Sequence, residues 1–302
     1  MTAGGTLIDA HTHTQPSLAA TRQFMADLGL QQVAEGTPDD AVERMDRAGI
    51  EWTMIVSFLP AQALVDAAVA AGEERDQARA RVLGRWHDLN AWAAEQSRTR
   101  PDRFRSVVGV DPVLMTREEV EQEVATQLAA GANGVKIAPM FLGVPPDHED
   151  MEIVWQLATR HDVPVLSECG AHAFGAHGAW GHPEHFLEVV RSYPTLRLQL
   201  AHLGQGAEDV TARVVRASGT VVTDTALRFG GMAGAPVEPG DTLDLIRTIG
   251  PEHVVFGTNY PLVDPGAYAA ALRSLGLTER ELRQVGYENA ACLWRTDART
   301  AA

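Results

Sequence analysis

Short runs of apolar and β-branched residues, bounded by turn-forming residues, recur eight times along the chain. Segments with helical patterns lie between these runs. Strands that alternate with helices pair in parallel through right-handed crossovers. The pattern therefore predicts eight β/α units, with strands over residues 6–8, 52–58, 106–110, 134–138, 163–167, 196–201, 220–223 and 253–256.

Capping residues mark where several of the predicted helices begin and end. A threonine oxygen at the cap and a carboxylate three residues later both accept hydrogen bonds from free backbone N–H groups, and proline fits the first helical position. Glycine favours the position just after a helix. These signals predict helix starts at Thr37, Thr116 and Thr278 and helix ends at Gly49, Gly131 and Gly250.

The length of 302 residues suits one barrel, because a (β/α)8 domain takes about 250 residues and eight units suffice to close its sheet. An open doubly wound sheet is the alternative. However, no G-x-G-x-x-G or G-x-x-x-x-G-K-[ST] motif follows any predicted strand. A nucleotide-binding version of this sheet would therefore lack the loop that binds the phosphates. We predict one α/β domain over residues 1–302, a (β/α)8 TIM barrel in which residues 296–302 form a frayed tail.

Composition and charge exclude several classes of partner. The chain carries 40 Asp and Glu against 25 Lys and Arg, a formal net charge of -15 that repels the phosphates of nucleic acid. Cys169 and Cys292 are too few for a disulfide framework. No apolar stretch reaches the roughly 18 residues of a membrane span, and residues 1–10 lack the features of a signal peptide. We expect a cytoplasmic protein that binds neither nucleic acid nor a membrane.

Polar residues collect at the predicted carboxyl ends of the strands, where a TIM barrel places its chemistry. Because residues two apart in an extended chain point to the same side, His11 and His13 can face one metal ion. The polar residues at the later strand ends each have an ordinary interpretation when taken singly: Glu168 as an ion-pair partner, His202 as a core histidine and Asn259 as a turn residue. Together they predict a metal site, to which the later strand ends contribute Glu168, His172, His202, Asp224 and Asn259.

The chain resembles the amidohydrolase-related branch of the metal-dependent hydrolase superfamily along nearly its whole length. This resemblance implies a distorted TIM barrel in which two first-strand histidines, a fifth-strand histidine and an eighth-strand aspartate serve a zinc-like ion. The segments that carry it are Asp9–His13, Met45–Ile50, Asn90 with Arg100–Phe104, Gly134–Ile137, Ala201–Gly204 and Phe256–Pro261.

Two residues depart from the pattern of this family. Glu168 stands where the family has the fifth-strand histidine, and Asn259 stands where it has the eighth-strand aspartate. An amide cannot take up a proton near neutral pH, so ordinary hydrolysis loses its usual base. One interpretation is a degenerate, inactive relative. The other is an altered metal site, because the Glu168 carboxylate can bridge two ions and His172 and His177 follow on the same loop.

Mixed carboxylate and imidazole donors suit iron or manganese as well as zinc. In this respect the chain resembles a smaller group of TIM-barrel nonheme diiron monooxygenases, typified by the diterpenoid hydroxylase of platensimycin and platencin biosynthesis. The resemblance implies two iron ions, dioxygen, an external electron donor and hydroxylation of an unactivated carbon in an apolar carboxylate or CoA thioester. The metal ligands would be His11, His13, Glu168, His172, His202 and Asn259, with His177 and Asp224 as further candidates.

The alternative function is that of a zinc-type hydrolase or decarboxylase of the amidohydrolase-related family. In this case Asp224 or Glu168 replaces the missing base, and the site holds one zinc. A manganese and iron pair is a further alternative to two irons. Either enzyme is compatible with a homo-oligomer.

The loops after the strands predict an apolar substrate. About half of their apolar residues are expected to pack helices against the barrel instead, and the set comprises Phe24, Met25, Phe58, Leu59, Met140, Phe141, Trp180, Phe229 and Met232. Three cations, Arg22, Lys136 and Arg228, are candidates to hold a carboxylate or the phosphates of a thioester. Of these, Lys136 joins Asp224 as a predicted catalytic residue.

Overall fold

The computed structural model describes residues 5–171 and 178–295, and within them the chain forms one eight-stranded parallel sheet. The strands pair in chain order, each with the next. They are β1 (Leu7–Thr12), β2 (Ile50–Val56), β3 (Phe104–Gly109), β4 (Gly134–Ile137), β5 (Val165–Ser167), β6 (Leu198–Leu200), β7 (Val221–Asp224) and β8 (Val254–Val255).

Backbone hydrogen bonds join the first strand to the eighth and to the segment that follows it. Ala10 N donates to the carbonyl oxygen of Phe256 over 2.8 Å, and Asn259 N donates to the carbonyl oxygen of His11 over 2.8 Å. These bonds bring the two edges of the sheet together. The structure thus confirms the predicted (β/α)8 TIM barrel and excludes the open doubly wound sheet.

Helices connect successive strands of the barrel. In the described part of the chain, no helix is long and apolar enough to cross a membrane. The α-helices there are α1 (Leu18–Leu28), α2 (Pro38–Ala48), α3 (Ala61–Ala70), α4 (Arg75–Thr99), α5 (Arg117–Ala130), α6 (Pro139–Leu142), α7 (Glu152–Arg160), α8 (Phe186–Ser192), α9 (Glu208–Ala217), α10 (Thr242–Ile249), α11 (Pro265–Ser274), α12 (Glu279–Arg283) and α13 (Asn289–Leu293). A π-helical turn spans Gln284–Glu288, and 3-10 helices span Glu149–Met151, Pro183–His185, Ala201–Gly204, Met232–Gly234 and Pro251–His253.

The predicted helix caps are confirmed. The side chain of Thr37 accepts a hydrogen bond from Asp40 N at the start of α2, and Thr116 and Thr278 form reciprocal capping boxes at α5 and α12. Gly49 ends α2 with a φ of 69°, a left-handed conformation that costs glycine little. Local sequence therefore determines these boundaries.

Strand β1 is longer than predicted, and this positions the site. The pattern predicted a strand over residues 6–8, whereas β1 spans Leu7–Thr12 and includes His11. The extension depends on pairing with β2 along this length, a long-range contact that a local pattern does not contain. The register shifts on both sides of Asp9, as expected where a strand bends toward a functional site.

The interior of the barrel is apolar below the site, apart from one glutamine. Gln199 on β6 donates from Nε2 to the carbonyl oxygen of Ala10 at 3.0 Å, and its Oε1 accepts from Trp294 Nε1 at 2.9 Å. The buried apolar side chains around the barrel axis are Ile8, Ala10, Met54, Val56, Val107, Leu166, Val222 and Val255. A second, larger apolar cluster includes residues of both the strands and the surrounding helices.

Candidate metal centre

His11 on β1 and His13, directly after this strand, are buried and held in one orientation by their Nδ1 atoms. His11 Nδ1 donates to Asp224 Oδ2 at 2.9 Å, and His13 Nδ1 donates to the carbonyl oxygen of Val56 at 3.1 Å. Their ring centroids lie 5.3 Å apart. Burial lowers the pKa of both imidazoles, so each is neutral, with a free electron pair on Nε2. Both rings therefore keep Nε2 available, and their binding to one ion remains a prediction.

His202 supplies a third imidazole from the turn after β6. Its Nδ1 donates to the carbonyl oxygen of Ala226 at 3.1 Å, and its ring stacks on that of His11 with centroids 5.3 Å apart. The backbone of His202 has a φ of 66°, a left-handed conformation that is strained for a residue other than glycine. Burial lowers the pKa of His202 to about 3, so this ring is also neutral.

Asp224 at the end of β7 accepts four hydrogen bonds and is fully buried. Besides His11, its donors are His202 N at 2.9 Å, Ala226 N at 3.0 Å and Gln199 Nε2 at 2.8 Å. Burial alone would raise the pKa of Asp224, but the electrostatic interaction and hydrogen bond of His11, together with those of His202, outweigh it and hold that pKa well below its usual range. The carboxylate is ionised and orients two of the three histidines.

Two oxygen atoms of side chains that line the cavity have no hydrogen-bond partner among the described residues. They are Glu168 Oε1 and Asn259 Oδ1, on side chains only 6% and 5% exposed. The other carboxylate oxygen of Glu168 accepts from Met140 N at 3.2 Å, and burial raises the pKa of Glu168 to about 7. Buried polar atoms are nearly always hydrogen-bonded, so unpaired oxygens indicate the position of a ligand.

Lys136 at the end of β4 is buried beside these oxygens. Its side chain is 3% exposed, and within residues 5–171 and 178–295 its ammonium group has neither a hydrogen bond nor an ion pair within 4.0 Å. Burial lowers the pKa of Lys136 to about 8, a shift that the charges of Glu168 and Asp224 oppose. At neutral pH the group is therefore mostly a buried cation.

A cavity of about 120 Å³ opens above these residues. Its floor consists of the polar residues His11, His13, Lys136, Glu168, His202 and Asn259. The other described lining residues are apolar, namely Phe24, Leu28, Leu30, Phe58, Ala138, Met140, Phe141, Leu227, Met232 and Leu262. The cavity thus combines a small polar floor with an apolar wall, the usual composition of a small-molecule site.

The structure sorts the apolar residues predicted for the substrate. Five of them line the cavity: Phe24, Phe58, Met140, Phe141 and Met232. Met25, Leu59 and Phe229 are instead buried in the core, and Trp180 is 44% exposed. Three of the nine thus serve packing alone, fewer than the expected half.

The other predicted residues lie apart from the cavity or outside the described chain. Arg22 is exposed on α1, and Arg228 is paired with Glu208 at 2.9 Å, so neither cation lines the cavity floor. His172 and His177 lie outside the described residues. Of the three cations considered from the sequence, Lys136 alone lines the cavity as described.

Sequence reasoning missed two residues that support the site. Gln199 holds Asp224, and the signal for it was a lone polar residue within an apolar strand. Gly181 covers Glu168 so closely that a Cβ atom there would lie 2.4 Å from Glu168 Oε2. No local signal indicates this second contact, because it depends on how the loop after β5 folds back.

The donor set fits a divalent metal ion. His11, His202 and Asp224 offer ligand atoms within 4.8 Å of one another. Asp224 already accepts four hydrogen bonds, so the donors that remain free are the Nε2 atoms of the histidines and the unpaired oxygens of Glu168 and Asn259. Imidazole, carboxylate and amide oxygen together suit manganese or zinc.

The chain is similar in sequence or in fold to several known proteins, decarboxylases among them. The chain is 23% identical over 334 residues to gamma-resorcylate decarboxylase from Polaromonas sp. (strain JS666 / ATCC BAA-500), covering 97% of this chain and 98% of that one. An uncharacterised TIM-barrel protein from Bordetella bronchiseptica has a TM-score of 0.72 at 19% identity, with 96% and 98% of the two chains covered. A dihydroxybenzoic acid decarboxylase from Polaromonas sp. JS666, with bound manganese and the inhibitor 2-nitroresorcinol, has a TM-score of 0.60 at 17% identity, with 98% of each covered.

These relatives correct the predicted function. The prediction of a dinuclear iron monooxygenase is wrong, because the enzymes to which this chain is similar over nearly its whole length are decarboxylases. Decarboxylation breaks a carbon–carbon bond without net oxidation, so the predicted dioxygen and external electron donor have no part in such a reaction. The relatives do not support two iron ions either, since the metal in the similar decarboxylase is manganese.

The resemblance to the amidohydrolase-related branch is confirmed over most of the chain. The family model described as Amidohydrolase matches residues 8–296, which include every strand of the barrel. This match extends well beyond half of the sequence. The chain therefore belongs to the amidohydrolase family.

Proposed function

We propose that this protein is a metal-dependent decarboxylase of a small carboxylic acid with an apolar, aromatic body. One observation carries the proposal: unused metal donors and unpaired oxygens converge on the floor of a cavity whose described wall is apolar. The decarboxylases that this chain resembles over nearly its full length support the same reaction class.

In this proposal His11, His13 and His202 hold one divalent ion through Nε2, with Glu168 and Asn259 as oxygen donors. A bound divalent ion supplies positive charge that binds substrate oxygens and stabilises negative charge developing on them. The fixed hydrogen bonds at each Nδ1 keep the Nε2 electron pairs directed away from the backbone. Asp224 acts as a positioning residue in this arrangement, because its oxygens are fully engaged.

The apolar wall has a role in the reaction as well as in binding. Phe24, Phe58 and Phe141 form a chain of ring contacts, with centroids 6.3 Å apart for the first pair and 4.8 Å for the second. A planar substrate body fits such a surface and displaces water from it. Loss of CO2 converts a charged carboxylate into a neutral molecule, so a site that excludes water favours this step.

The test is CO2 release by the metal-loaded enzyme. Purified protein is reconstituted with Mn²⁺ or Zn²⁺, its metal content is measured, and it is incubated with 2,6-dihydroxybenzoate and other hydroxybenzoates. We expect CO2 and the corresponding phenol from at least one acid, and loss of both after chelation. The Asp209→Asn variant, altered at an exposed position on α9, serves as a matched control for loss of one carboxylate. A fully metal-loaded protein that releases CO2 from none of the acids would contradict the proposal.

A further inference from the structure

Decarboxylation leaves an electron pair on carbon, and a group of the enzyme must supply a proton there. Asn259, at the position where the family has an aspartate, cannot do so because an amide holds no transferable proton near neutral pH. The imidazoles of His11, His13 and His202 each direct their protonated Nδ1 at a protein acceptor. Glu168 is assigned to the ion as an oxygen donor, so Lys136 is the remaining described residue of the cavity floor that can carry the proton.

Lys136 has the properties that this step needs. Its ammonium carries three protons, it lines the cavity, and none of the described residues accepts a hydrogen bond from it. A buried cation without a partner is costly, so the site is suited to an anion brought by the substrate. The charges of Glu168 and Asp224 favour its protonated form, but no carboxylate of the described chain forms an ion pair with the ammonium within 4.0 Å.

We infer that Lys136 binds the carboxylate of the substrate and then donates the proton that replaces CO2, in place of the aspartate that this chain lacks. This inference rests on the proposed function. The bond between the carboxylate carbon and the substrate body breaks, and its electron pair stays on the body. CO2 leaves, the carbon of the body that held the carboxylate takes a proton from Nζ, and the neutral amine regains a proton from water.

Two substitutions separate the binding role from the proton transfer. Lys136→Met removes both the charge and the proton, whereas Lys136→Arg keeps the charge on a group whose pKa is too high to donate readily. Arg22→Met is the matched control, because it removes an exposed cation outside the cavity. Metal content is measured for every variant so that loss of the ion is not mistaken for loss of Lys136.

Binding is measured by calorimetry with benzoate and with neutral benzamide on the manganese-loaded proteins. We expect Lys136→Met to weaken benzoate binding at least tenfold and to leave benzamide binding unchanged, while Lys136→Arg stays within threefold of the parent. CO2 release from the acid that the parent consumes should fall at least 100-fold in both variants. Arg22→Met should match the parent in every assay.

Each arm can overturn its part of the inference. Equal benzoate affinity in Lys136→Met and the parent refutes carboxylate binding. CO2 release by Lys136→Arg above one tenth of the parent rate refutes proton donation by Lys136. If the parent consumes no acid, the proposed function and the proton transfer both fail, and the benzoate measurements alone decide the binding role.

Discussion

Oδ2 of Asp224 lies 2.9 Å from Nδ1 of His11, although 213 residues separate the two in the sequence. The same carboxylate accepts the backbone N–H of His202, so one buried anion at the end of β7 orients histidines from two other strands. Gln199 in turn donates to this carboxylate from within β6. Asp224 and Gln199 thus orient the histidine donors from beneath, and neither of these two residues lines the cavity.

Replacing the anion at the centre of this network should weaken metal binding. In Asp224→Asn, the side-chain NH2 replaces an oxygen that now accepts hydrogen bonds. An N–H donor of the protein then faces another donor, and the hydrogen bond that orients His11 is weakened or lost. Partners of this kind contribute roughly 10–100-fold to metal affinity. We expect a loss in this range in Mn²⁺ titrations followed by EPR. The exposed Asp209→Asn should bind Mn²⁺ like the parent, and equal affinity in Asp224→Asn would show that the network does not support the site.

Gly181 should be intolerant of a side chain because of its contact with Glu168. A Cβ atom at this position would lie 2.4 Å from Glu168 Oε2, so Gly181→Ala must displace the carboxylate. We expect Mn²⁺ affinity to fall about tenfold with little change in the urea midpoint. Gly219→Ala is the control, because a Cβ atom there meets nothing within 4 Å. Parent-like affinity in Gly181→Ala would mean that Glu168 is not a metal donor in this geometry.

Asn259 offers a direct test of its unpaired oxygen. If Oδ1 binds the ion, Asn259→Asp adds a negative ligand and should tighten Mn²⁺ binding, whereas Asn259→Ala removes the donor and should weaken it. We expect the two variants to differ by at least tenfold in dissociation constant. Indistinguishable constants would place the residue outside the coordination of the ion.

Asp111 should make stability depend on pH. Burial raises the pKa of this carboxyl from 3.8 to about 6, against hydrogen bonds from Leu114 N, Gln62 and Val113 N. The folded state holds the proton of Asp111 more tightly than the unfolded state does. The contribution of this proton to the free energy of unfolding is therefore complete below pH 3.8 and is lost as pH rises through 6. At 1.36 kcal/mol per pKa unit, the loss is about 3 kcal/mol.

The measurement compares urea unfolding of the parent and of Asp111→Asn, which does not titrate. Between pH 4 and pH 7, we expect the parent to lose about 2 kcal/mol of unfolding free energy relative to the variant, from the pKa shift of this one group. A difference between the two proteins that stays constant with pH would contradict the assignment.

Gly84 offers a simple route to a more stable enzyme. It lies within the 25-residue helix α4, and a Cβ atom there would meet nothing within 4 Å. Glycine inside a helix is about 1 kcal/mol less favourable than alanine. Gly84→Ala should therefore raise the urea midpoint and leave Mn²⁺ affinity unchanged. An unchanged or lower midpoint would indicate that this part of α4 is not a regular helix in solution.

The sequence by itself determined the features that depend on local patterns and on residue type. The spacing of apolar runs predicted eight β/α units, and capping residues such as Thr116 predicted helix ends, because both act over a few residues. Alternation along a strand placed His11 and His13 on one side. The positions of Glu168 and Asn259 at strand ends also followed, since a parallel barrel brings those ends to one face.

Only the tertiary structure decided how these side chains are used. The pairing of His11 with Asp224, the support from Gln199 and the cover from Gly181 all join distant segments, and barrel closure sets their distances. The tertiary structure also distinguishes Lys136, which lines the cavity, from Arg228, which forms an ion pair with Glu208. The sequence could not choose between an oxygenase and a decarboxylase, because the same imidazole and carboxylate donors bind iron, manganese and zinc, and their number around one point is a property of the folded chain.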